Sequence, residues 1–124
     1  MHEQSDIEIY LDSVPIEALE TWLVTLFNPV EEKSISGKTA RYAAHYKGEE
    51  FTIVIVNRVT GTFSSVWFNS PHTPWSSDIE CAKAAYEYFK KEVRCVEGGW
   101  EEGQDPDSWY SISDKGENKI IWRD

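Results

Sequence analysis

Between Thr39 and Phe68 the chain alternates apolar and polar residues in runs separated by short turns, and a period of two is that of a β-strand. Ala40, Tyr42, Ala44 and Tyr46 fall on one side of the first run, and Thr39, Arg41, Ala43 and His45 on the other. Lys47-Gly48-Glu49-Glu50 supplies a turn. Phe51 to Val56 is apolar on both sides, as expected of a central strand. Val59-Thr60-Gly61 turns the chain again, and Thr62 to Phe68 returns. These runs predict a three-stranded antiparallel meander.

Two helical patterns flank it. Ile16, Leu19, Leu23, Leu26 and Phe27 recur at helical spacing, with Trp22 off the centre of the stripe. Pro15 suits the first helical position and Asn28-Pro29 the end. Ser77 and Glu80 form a capping box for a second helix running to about Val93, with Ile79, Ala82, Tyr86, Phe89 and Val93 inward. Ile7, Ile9 and Leu11 read as a first strand. Val93 to Val96, Trp109 to Ile112 and Lys119 to Trp122 read as three more, the last two a hairpin. The predicted order is β-α-β-β-β-α-β-β-β. It implies one α+β domain over residues 1–124, a two-layer sandwich of mostly antiparallel sheet and two helices.

Charge bounds the partners. The formal net charge is −10, which repels nucleic acid and anionic lipid and leaves a basic protein as the partner, if there is one. The acidity is segmented. Residues 1–32 hold eight carboxylates and no Lys or Arg, residues 33–58 are net basic, and residues 59–77 carry no formal charge. Residues 97–124 hold eight acids against Lys115, Lys119 and Arg123. No apolar run approaches the roughly 18 residues of a membrane span. The acidic N-terminus does not read as a secretory signal, and Cys81 and Cys95 make no disulfide framework. The expectation is a cytoplasmic protein with two free buried thiols.

Phosphate loops, dinucleotide fingerprints, nucleophile elbows and zinc motifs do not occur in the sequence, which predicts neither cofactor nor metal. Cys81, Cys95, His45 and His72 match no metal spacing. Two stretches stand out instead. Glu97, Glu101, Glu102, Asp105 and Asp107 gather around Trp100 and Trp109, an anionic patch with aromatic anchors suited to a basic groove. Calcium ligation and a solvated loop with inward tryptophans are the competing readings of that stretch. Trp67, Phe68, His72 and Trp75 form a second candidate surface, uncharged and aromatic like an interface core; the competing reading is that the tryptophans cover the end of the sandwich.

Small, acidic, aromatic-rich α+β chains without catalytic motifs resemble, in composition and size, the immunity proteins that bacteria keep against nuclease toxins. The resemblance implies an inhibitor whose carboxylates stand in for phosphates. A small enzyme assembling His45 or His72 with carboxylates is the alternative. A third is self-association, a homodimer formed through the terminal strand Lys119 to Trp122 at a sheet edge.

Overall fold

The computed structural model describes residues 6–96 and 108–122. Eight strands and two helices follow one another as β1 (Ile7–Asp12), α1 (Ile16–Leu26), β2 (Val30–Ser36), β3 (Thr39–Tyr46), β4 (Glu49–Thr60), β5 (Phe63–Asn69), α2 (Asp78–Phe89), β6 (Val93–Val96), β7 (Ser108–Ser113) and β8 (Gly116–Ile121). The strands form a single sheet in the order β2-β3-β4-β5-β1-β6-β7-β8, and every described pairing is antiparallel. The first strand of the chain therefore lies inside the sheet, between β5 and β6, and joins the meander to the C-terminal hairpin.

The predicted meander is present and is longer by one strand. The order expected from sequence lacked β2, because Val30–Ser36 shows no apolar alternation: Val30 is half-buried and the other six residues are exposed. An edge strand of this kind is held by backbone pairing with β3 rather than by burial, so it leaves no hydrophobic pattern to read. The β3–β4 turn is tighter than predicted. Lys47 and Gly48 alone span it, both at positive φ (51° and 83°), the mirror-image geometry that matches strand twist. At 83° the backbone of Gly48 sits where a Cβ would be strained. Where β4 leaves register between Val56 and Thr60, the Ser64 hydroxyl accepts from the Arg58 N–H at 2.9 Å and donates to Asn57 Oδ1 at 3.2 Å.

One face of the sheet makes the core. Ile7, Ile9 and Leu11 of β1 point the same way as Ile53 and Ile55, Val66 and Phe68, and Val93 and Cys95, and all are buried. Both helices lie on this side. Leu19, Trp22 and Leu23 of α1 and Cys81, Ala82 and Ala85 of α2 belong to the same buried cluster. Trp22, expected off the centre of the stripe, is buried within the cluster: it stacks on Trp75 at 5.9 Å and meets Phe68 at 6.2 Å and Phe89 at 5.5 Å. Rings of this size and geometry dominate core energetics. The Tyr42 hydroxyl donates to Glu20 Oε2 at 2.7 Å and ties α1 to β3.

The second helix starts as its capping box requires, with the Glu80 N–H donating to Ser77 Oγ at 3.2 Å. The return arm is one residue early, from the Ser76 N–H to Glu80 Oε2 at 3.2 Å. The helix ends at Phe89, not near Val93. Lys90 turns left-handed (φ 57°, ψ 35°) and its N–H closes on the Tyr86 carbonyl, which frees Val93 to begin β6.

Candidate binding face

Among the described residues the opposite face of the sheet carries no helix, and the strand registers say which residues it presents. Tyr10 pairs with Ser65 on one side and Arg94 on the other; Arg94 pairs with Ser111; Trp109 pairs with Ile120. Direct antiparallel partners share a face, so β1, β5, β6, β7 and β8 together lay out one continuous surface. Trp122 is two residues beyond Ile120 and joins it.

At its centre three rings stand nearly perpendicular to one another. Tyr10 meets Trp109 at 5.2 Å and 85°, and Trp122 at 5.6 Å and 87°. Trp109 meets Trp122 at 4.9 Å and 72°. The arrangement is the corner of a box, and edge-to-face packing is the preferred geometry for such pairs. Tyr10, Thr60, Trp109 and Trp122 enclose a small cleft of about 60 Å³. All three rings are half-buried, so they keep a solvent-facing part.

Charge is arranged around the corner. The Arg94 guanidinium lies 4.5 Å from the ring centres of both Phe63 and Trp122. Its Nε donates to Glu92 Oε2 at 2.9 Å, and the Ser111 hydroxyl donates to the same oxygen at 2.6 Å. Further along β1, the Tyr10 hydroxyl donates to Glu8 Oε1 at 3.5 Å, and the Trp67 indole N–H donates to Asp6. Burial, with Asp6 close by, holds the Glu8 carboxyl above its usual range. Asp78, at the start of α2, is pushed up to about 6 by burial and by Asp6 and Glu8. This end of the sheet thus gathers carboxylates that repel one another.

Glu97, Trp100, Glu101, Glu102, Asp105 and Asp107, predicted to bind a partner, lie outside the described residues. Trp109, named with them, is a wall of the aromatic corner. The second predicted surface divides. Phe68 and Trp75 are core residues, buried against Trp22 and Phe27, and are corrected to structural roles. Their apolar, uncharged neighbourhood reflects packing under α1 and α2. Trp67 is half-buried on the helix-free face, and His72 is exposed with Nε2 3.9 Å from Glu49.

Sequence reasoning missed Tyr10, Arg94 and Trp122. Tyr10 was legible as the middle residue on the wet side of the first alternating strand. Trp122 shares a face with Trp109 once the hairpin turn is fixed at Asp114-Lys115, and a register one residue off hides the relation.

His45 Nε2 is 3.3 Å from Glu50 across the β3–β4 ladder, and its Nδ1 is buried without a hydrogen-bond partner among the described residues. Cys81 and Cys95 are free thiols buried on the helix side, and burial raises both above the ordinary thiol range. Among the described residues no three His, Cys, Asp or Glu side chains converge as metal ligands, and no helix is long and apolar enough to cross a membrane. No protein-family model, curated protein or solved structure matches the chain.

Proposed function

We propose that this chain is a small acidic cytoplasmic binding protein that occupies a basic protein partner, in the manner of an immunity protein neutralising a nuclease-type toxin, and that it does so without catalysis. The observation that carries the reading is the aromatic corner of Tyr10, Trp109 and Trp122 on the helix-free face of the sheet. In this reading the fold is a two-layer sandwich whose helices seal one face and leave the other to the partner. Half-buried tryptophans and a tyrosine beside a cleft are the residue types that concentrate binding energy. Trp109 lies two residues beyond Asp107, the end of the acidic stretch that begins at Glu97, so the anchors and the carboxylates act on one partner. Glu8, on the same face as Tyr10 and raised by burial and by Asp6, gains from an incoming cation. A net charge of −10 steers a cationic protein from a distance.

The test is capture of a partner by the chain from the organism that encodes it, followed by kinetics on the purified pair. The expected partner is basic, and association slows on the order of tenfold or more as salt is raised, because steering is screened. Trp109→Ala is expected to raise the dissociation rate by about 2 kcal/mol in equivalent free energy. A salt-independent association, or a partner whose affinity is unchanged by Trp109→Ala, overturns the reading.

A further inference from the structure

The two edges of the sheet are built differently. Edge strand β2 slips register between Glu32 and Ser34 and sets Glu31, Glu32 and Lys33 side by side, the irregularity and charge that block edge pairing. Edge strand β8 pairs with β7 without a break from Gly116 to Ile121, and among the described residues no strand lies on its outer side. Ile121, at 50% exposure, stands open at its end.

The turn fixes which backbone groups of β8 face outward. Ser113 and Gly116 close the two-residue turn as a hydrogen-bonded pair, so Asn118 and Ile120 also bond inward to β7. Glu117, Lys119 and Ile121 then direct their N–H and C=O groups away from the sheet. Those three residues also share the helix-side face, because Glu117 pairs with Ile112 and Lys119 with Tyr110.

We propose that β8 pairs antiparallel with β8 of a second copy of this chain, about a two-fold axis through Asn118. A two-fold axis perpendicular to a sheet keeps each face on its own side, so only residues of equal parity can oppose one another. Centring on Lys119 sets that lysine against itself; centring on Ile120 leaves Glu117 and Lys119 without each other. Centring on Asn118 sets Glu117 against Lys119 of the second copy, and Lys119 against its Glu117. Each opposition is a hydrogen-bonded backbone pair carrying opposite charges on the same face. The same register brings Ile120 across from Gly116, which has no side chain to obstruct it. It also carries Ile121 of the second copy toward the open cleft of about 420 Å³ between α2 and the hairpin, lined by Tyr86, Ile112 and Glu117 among others. The two aromatic corners end on the same side of one continuous sheet. Dimerisation does not depend on the basic partner proposed above.

Sedimentation velocity over a wide range of concentration tests the pairing with four chains. The wild type is expected to pass from monomer to dimer. Glu117→Lys and Lys119→Glu, each placing like charges across the axis, are expected to weaken the dimer about tenfold, which is the effect of roughly 1.4 kcal/mol. The double exchange Glu117→Lys/Lys119→Glu is expected to restore it, which a mere loss of the Lys83 and Tyr110 contacts of Glu117 cannot do. Lys119→Pro removes an outward N–H without taking a hydrogen bond from β7 and is expected to abolish dimerisation. A wild type that stays monomeric, or a double exchange no tighter than the single ones, overturns the proposal.

Discussion

The Arg94 guanidinium caps two touching aromatic rings, 4.5 Å from the centres of both Trp122 and Phe63, which lie 4.9 Å from each other, and its Nε is held by Glu92. Its side chain is 20% exposed and that of Glu92 26%, so the pair is shielded from the solvent that weakens surface ion pairs. A planar guanidinium can stack and donate at the same time, and an ammonium cannot. Arg94→Lys is therefore expected to cost about 1–2 kcal/mol in urea unfolding. A double-mutant cycle between Arg94→Lys and Trp122→Leu should return a coupling of about 0.5–2 kcal/mol. A coupling indistinguishable from zero would show that the ring contact contributes nothing.

Asp78 couples the start of α2 to the start of β1. Its carboxylate accepts from the Glu8 N–H, while burial and the charges of Asp6 and Glu8 push its pKa from 3.8 to about 6. The folded state thus binds the proton more tightly than the unfolded state does. Its contribution is fully present below about pH 4 and is lost as the pH rises through about 6. Asp78→Asn keeps an acceptor for the Glu8 N–H and cannot ionise. Relative to wild type, it should gain on the order of 1 kcal/mol between pH 4 and pH 7, an amount reduced by the exposure of the site. Urea midpoints measured for both chains across that range decide the matter, and parallel curves would refute the linkage.

The legible parts of this fold are those in which burial writes a pattern. β3 alternates because one face is packed, β4 reads as an apolar run because it lies between β3 and β5, and the Ser77–Glu80 box announces α2 because its two side chains satisfy backbone donors locally. Strand β2 was illegible because its residues are exposed and its stability comes from β3. The position of Trp22 could not be read from the stripe of α1, since its neighbours Trp75, Phe68 and Phe89 come from three separate segments. The binding face was half legible for a related reason. Trp109 was visible beside its acids, but its contacts with Tyr10 and Trp122 depend on strand register, and a shift of one residue reverses every side chain.

Cys81 and Cys95 sit on the helix side of the sheet, each fully removed from solvent. Burial pushes the Cys95 thiol up to about 12, and Cys81 rises well above the ordinary thiol range for the same reason, with Asp78 adding to both. The thiolate is the reactive species, so at pH 8 roughly one Cys95 in ten thousand is competent even before access is considered. Neither thiol should react with an aromatic disulfide reagent in the folded protein on the timescale of an exposed cysteine. Both should react at once in concentrated guanidinium. In partial denaturant the labelling rate should follow the population of opened molecules, which makes the pair an internal reporter of core opening. Rapid labelling of either thiol under native conditions would place that cysteine outside the core and would contradict the packing of α2 on β6.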